Sequence, residues 1–244
     1  MGCGVKVWLV PGSRFDELEK GVAIIPVGSV ERHGDHLPLG TDALEAMYVA
    51  EKVADELCAH LFPPVWYGAA KSLARFSGTI DVGDGPLYAY MCGILRGVAS
   101  MGYRIIVVVN GHGGNTLALR LAAKKVSFET GTSILVVNWW SDLAQEKRRE
   151  LFTYPGHAGE DETSAVLHIA PETVDMSSAR DHITEPIPSI TVYSPKLEEK
   201  LYPRAVLGKP TLASAEKGRI WLEEAAKDLA TKVREVAKLL ELKV

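Results

Sequence analysis

Three continuous apolar runs constrain this chain most: Gly21–Gly28, Tyr103–Asn110 and Ser133–Asn138. None alternates apolar with polar residues, as a strand with one wet face does, so the first two read as buried strands and the last as a third strand. Such strands need helices on both sides. Helical spacing appears between and around them, over Ala43–Leu61, Pro86–Met101, Leu117–Glu129 and Ser141–Leu151, with Thr41 or Asp42 placed as the first N-cap. Strands alternating with helices predict an α/β fold, a three-layer α/β/α sandwich with a mainly parallel central sheet. Leu222, Ala225, Leu229, Val233 and Val236 share one face of a closing amphipathic helix, Ala215 to about Leu240. No Ser/Gly/Pro-rich linker divides the chain, so residues 1–244 are expected to form one domain.

Ligands of open parallel sheets bind beyond the carboxyl ends of the strands. There this chain concentrates its acids and imidazoles. The first run leads into GSVERHGDHLPLGTD (28–42), where Glu31 and His33 can point to one side and Asp42 returns after the bends at Pro38 and Gly40. The second run delivers His112 within Asn110–Asn115. Glu31, His33, Asp42 and His112 form a nitrogen-and-oxygen set without sulfur, suited to Zn²⁺, Mn²⁺ or Fe²⁺. A bridging carboxylate lets two such ions lie about 3.5–4 Å apart, as in two-metal hydrolases. A third loop, Gly156–Ser164, offers His157 as general acid/base and Glu160 or Glu162 as a fifth ligand.

Each of these residues also has a plainer reading. Asp42 with Glu45 matches a D-x-x-E capping box, and Gly156–Ser164 matches an acidic helix start. His36 reads as structural or as a support for ligands. The Asn110–Asn115 loop could cradle a phosphate, although it has neither a Walker lysine nor a G-x-G-x-x-G pattern. Trp139-Trp140 reads either as core packing or as a substrate clamp. The argument for a metal rests on convergence, since four of the seven histidines fall in these three loops.

A net charge of −4 offers no electrostatic footprint for nucleic acid, and no apolar run is long enough to span a membrane. The expectation is a soluble cytoplasmic protein. Cys3, Cys58 and Cys92 fit no zinc spacing and are odd in number, which argues against a disulfide framework; Cys58 and Cys92 read as small buried residues. A single Gln and only three Asn match the amide depletion of heat-stable proteins.

GSVERHGDHLPLGTD, VNGHGGN and HAGEDETS, in this order, resemble the creatininase (creatinine amidohydrolase) family. FSGTI (76–80), GKP (208–210) and ASAEKG (213–218) extend the similarity along the chain. The resemblance implies a cytoplasmic, often hexameric α/β hydrolase with two divalent ions per chain, Zn²⁺ first and Mn²⁺ or Fe²⁺ as alternatives. It implies Glu31 and His112 on one ion, His33 on the other, and Asp42 as the bridge. Creatinine-hydrolysing members carry a glutamate ligand where this chain has Gly114. Members with the GHGGN form point to Glu162 as its replacement, a ligand counted with the catalytic residues, and His157 resembles the family's catalytic histidine. The implied reaction is hydrolysis of a non-peptide C–N amide bond in a small cyclic amide or formamide. Alternatives are a formamide hydrolase acting on a ribosylaminopyrimidine phosphate, a cofactor-maturation peptidase, and a non-enzymatic metal-binding scaffold.

Overall fold

The computed structural model of the chain describes residues 2–185 and 192–242. Five strands, all paired in parallel, form one sheet in the order β1-β3-β2-β4-β5. They are β1 (Val5–Lys6), β2 (Val22–Val27), β3 (His60–Leu61), β4 (Ile105–Asn110) and β5 (Ser133–Asn138). The helices are α1 (Gly12–Glu17), α2 (Thr41–Leu57), α3 (Asp84–Ser100), α4 (Thr116–Thr130), α5 (Trp139–Asp142), α6 (Gln145–Leu151), α7 (Glu160–Ile169), α8 (Pro195–Leu201) and α9 (Ala215–Leu239). The expected three-layer α/β/α arrangement is what forms.

Every residue of β2 and β4 is buried, which explains the absence of alternation. Val22, Ile24, Ile105, Val107 and Val109 pack under α2 and α9, while Ala23, Ile25, Val27, Ile106 and Val108 pack under α3 and α4. Both faces are therefore dry, and burial of each large aliphatic side chain contributes about 1.5–3 kcal/mol. Trp139 is fully buried against Trp221 of α9, with ring centroids 4.3 Å apart, so it belongs to the core. Half-buried Trp140 lies beside Gly113 of the second loop. Among the described residues, no helix is long and apolar enough to cross a membrane.

Several local expectations are corrected. The helix expected over 43–61 ends at Leu57, because Cys58 turns into the left-handed region (φ 50°) and the chain re-enters the sheet as β3. Neither Thr41 nor Asp42 caps α2. Gly40 holds the cap position without a side-chain bond, the Thr41 hydroxyl donates to the Pro38 carbonyl, and Asp42 lies inside the first turn. The capping box with Glu45 does not form, which frees the Asp42 carboxylate. The charged helix expected over 141–151 is two helices, parted at buried Leu143 and at Ala144 (φ 46°).

The cysteine reading is overturned in part. Cys92 is buried and free, whereas Cys58 is exposed and bonded to Cys3. Parallel pairing of β1 with β3 lays the N-terminal segment beside the end of α2 and brings the two Cα atoms to 4.7 Å. A separation of 55 residues leaves no local signal for that pairing.

Candidate metal centre

In the sheet register Val27, Asn110 and Asn138 lie side by side, so three strands end level and release their loops at one edge. Asn110 donates to the Asn138 side chain at 2.8 Å and to the His112 carbonyl at 2.7 Å; Asn115 donates to the Gly28 carbonyl at 2.9 Å and accepts from the Ala69 amide at 2.8 Å. These buried amides stitch the loops together, which leaves the Asn110–Asn115 loop no free asparagine amide for a phosphate. Gly111 makes the next contact possible. A Cβ there would stand 2.0 Å from the Asp42 carbonyl oxygen, so only glycine lets the end of β4 rest on the first turn of α2 and bring His112 beside Asp42.

All five sequence-derived ligand candidates converge. Glu31, Asp42 and His112 form one group of closely spaced ligand atoms, and His33, Asp42 and Glu162 form a second that shares Asp42; Glu31, His33 and His157 form a third. Within each group the ligand atoms lie within 4.8 Å of one another. Glu31, His33 and Asp42 are almost wholly buried, while His112, His157 and Glu162 keep 12–16% of their side chains exposed. The centre has a dry floor and a rim open to solvent.

The three imidazoles share one pattern. His33 Nδ1 lies 3.1 Å from the Glu31 carbonyl, His112 Nε2 lies 3.0 Å from the Ala69 carbonyl, and His157 Nε2 lies 2.9 Å from the Arg32 carbonyl. A carbonyl only accepts, so each of these nitrogens is assigned the hydrogen and the other nitrogen presents a lone pair. Those lone pairs face carboxylates: His33 Nε2 is 3.1 Å from Asp42 Oδ1 and 3.6 Å from Glu162 Oε2. His112 Nδ1 is 3.0 Å from Asp42 Oδ2 and 3.3 Å from Glu31 Oε1, and His157 Nδ1 is 3.7 Å from Glu31 Oε1. Lone pairs facing lone pairs at such distances require a cation between them, either a proton or a metal.

The ionisation tendencies agree. Burial opposes a charged His33, but Asp42, Glu162 and Glu31 outweigh it and push the imidazole up to about 10. Burial opposes charge on His112 too, and Glu31 and Asp42 hold it well above the usual imidazole range. Burial and nearby Asp161 and Asp42 push Glu162 up to about 8. His157 goes the other way, down to about 4, through burial and the neighbouring His33. Glu31 Oε2 and Asp42 Oδ2 are buried without a hydrogen-bond partner. Orphaned carboxylate oxygens, oriented imidazoles and the absence of sulfur fit divalent metal ions.

Glu160 takes no part in the cluster. Its carboxylate is held by Lys217 at 2.7 Å and by the Thr153 and Tyr154 amides at 2.9 Å each. Glu162, two residues further along the chain, is the acid of this loop that approaches His33, at 3.6 Å. At Gly114 a Cβ would stand 2.0 Å from the Ala69 carbonyl oxygen and 2.6 Å from His112 Nε2, so no side chain fits where creatinine-hydrolysing relatives are expected to carry a glutamate. His36 joins no ligand group and bonds instead to Thr163. Two site features escaped the sequence reading: the Ala69 carbonyl and Tyr202, whose ring stands edge-on to His157 at 5.5 Å. A lone tyrosine and a backbone oxygen carry no motif.

The family model described as Creatininase: Creatinine amidohydrolase matches residues 13–233. A mycofactocin precursor peptide peptidase of Mycobacterium ulcerans is 34% identical, covering 86% of this chain and 83% of that protein. A creatinine amidohydrolase of Pseudomonas putida is 27% identical over 88% and 89%. A solved structure described as creatininase Mn superposes with a TM-score of 0.85 at 25% identity, over 95% of this chain and 98% of the other. Fold, motifs and these matches together place the chain in the creatininase family of amidohydrolases.

Proposed function

We propose that the chain is a two-metal hydrolase that cleaves a C–N amide bond of a small cyclic amide or formamide. The observation that carries this is the orientation of the imidazoles, each tied by one nitrogen to a backbone carbonyl and presenting the other to shared carboxylates. Glu31, Asp42 and His112 would hold one ion and His33, Asp42 and Glu162 the other, with Asp42 as bridge. Zn²⁺ suits this donor set best, with Mn²⁺ or Fe²⁺ as alternatives. When bound, such ions polarise the scissile carbonyl and lower the pKa of water.

The remaining work falls to the chain. Asp42 turns one oxygen to each imidazole and so fixes the spacing of the two halves. His157 keeps its Nε2 hydrogen on the Arg32 carbonyl, which leaves Nδ1 free to take a proton and return it to the leaving nitrogen. Its low proton affinity keeps that nitrogen vacant at neutral pH. The partly exposed rim of His112, His157 and Glu162 is where substrate enters.

A second reading, cleavage of a peptide bond in a precursor peptide, is favoured by the higher identity to the mycofactocin peptidase than to the creatinine amidohydrolase. The lack of space at Gly114 also weighs against creatinine. One experiment addresses both readings: metal content per chain of the wild type and Glu162→Ala, followed by turnover on cyclic amides, formamides and short peptides. About two ions falling toward one supports the centre. Less than one ion, with no gain on adding Zn²⁺, Mn²⁺ or Fe²⁺, overturns it in favour of a non-catalytic scaffold.

The same reading includes a homo-oligomer, a hexamer by resemblance. Exposed Leu117, Leu121 and Phe128 on one face of α4 support a contact between copies, and a monomer in sedimentation velocity would refute it.

A further inference from the structure

We propose that His36 and Thr163 are positioning residues that set only the His33–Asp42–Glu162 half of the centre. This rests on the two-ion reading above. His36 lies three residues beyond His33, and Thr163 directly follows Glu162. Both are buried, and His36 Nε2 meets Thr163 Oγ1 at 2.9 Å, joining the first ligand loop to α7 across 127 residues of chain.

The link continues to the carboxylate. Thr163 Oγ1 donates to the Ala158 carbonyl at 3.4 Å, and the Ala158 amide donates to Glu162 Oε2 at 2.6 Å, the oxygen that faces His33. With the hydroxyl hydrogen on Ala158, the His36 Nε2 hydrogen is assigned to Thr163. Ala158 itself sits at φ 49°, a conformation that a non-glycine residue holds only under local constraint. From the His36 imidazole to the Thr163 hydroxyl, to the Ala158 backbone and to the Glu162 carboxylate, one chain of contacts joins the first ligand loop to Glu162.

The other half is fixed differently. The Glu31 amide donates to the Leu39 carbonyl, and His112 is held by Ala69 and Asn110, all of them outside α7. Leu37, Ala158, Val166 and Val206 pack around the brace, so removing a hydroxyl there leaves the apolar contacts in place. Ligand distances tolerate only about 0.2 Å, so a small drift of α7 registers as lost affinity at one ion.

The test is stepwise Zn²⁺ binding to the full-length apoprotein, measured by competition with a chromophoric chelator. The step that disappears in Glu162→Ala identifies the affected half. Thr163→Val, which keeps the shape and removes the hydroxyl, is expected to weaken that same step by about 10–100-fold and leave the other unchanged. Thr163→Ser restores it. His36→Gln carries the same expectation should Thr163→Val not fold, and the double variant should be no weaker than the single ones. Equal weakening of both steps, or no change in a folded variant, overturns the brace. A wild type with a single Zn²⁺ step defeats the two-ion reading first, and the brace with it.

Discussion

His112 Nδ1 and Asp42 Oδ2 stand 3.0 Å apart, while the other ring nitrogen of His112 lies 3.0 Å from the Ala69 carbonyl. The same Asp42 presents its other oxygen to His33 at 3.1 Å. One carboxylate thus faces two imidazoles.

Asp42→Asn is therefore expected to strip both ions, whereas His112→Ala strips one. Plasma mass spectrometry on dialysed protein distinguishes the cases. Retention of both ions by Asp42→Asn would remove Asp42 from the bridging position.

On the proposed proton-transfer role, His157→Ala should reduce turnover by about 10²–10⁴-fold while metal content holds. The measurement is kcat beside metal content on the same preparation. Loss of an ion in this variant would make His157 a ligand, an outcome its proximity to Glu31 and His33 permits.

Reduction or Cys3→Ser should destabilise the chain. Closing a loop of 55 residues restricts the unfolded ensemble by about 4 kcal/mol in the chain-entropy treatment. The wild type is expected to melt above the mesophile range of about 45–65 °C, with the variant lower by roughly 10 °C. Scanning calorimetry with and without reductant checks this; equal melting curves would show that the bond does not constrain the unfolded chain.

Acid sensitivity is expected from His60. Its Nδ1 meets the Tyr103 hydroxyl at 2.7 Å, and burial together with the Lys20 charge holds the imidazole below its ordinary value. The unfolded chain takes up this proton below about pH 6.5 while the folded chain resists it, so stability falls as pH drops through that range. His60→Gln should flatten this part of the profile. Parallel urea-unfolding profiles for the two proteins across pH 5–7 would contradict the assignment.

The strands β2 and β4 were legible because burial on both faces writes an unbroken apolar run into the sequence, whereas β5 carries a similar run although it lies at the sheet edge and is mostly half-buried. The long helices were legible by period, although Cys58 and Ala144 end or divide them through backbone conformations that apolar spacing does not encode. β1 and β3 have two residues each, too short for any period. Glu31, His33, Asp42 and His112 were legible because several metal-competent groups followed strand ends. The choice between Glu160 and Glu162 was not, since it depends on Lys217, which lies 57 residues away from Glu160.

What the sequence determined by itself was the kind of sheet, the edge at which chemistry collects and the types of donor atom available there, because periodicity and residue chemistry are local properties. The tertiary structure decided which nitrogen of each histidine is free, which acid is already paired and which cysteines meet. Those depend on partners brought together from distant segments: the Ala69 carbonyl against His112, the Arg32 carbonyl against His157 and Cys3 against Cys58. Hydrogen bonds and covalent bridges act over a few ångströms in space, and only the folded chain brings those atoms within reach.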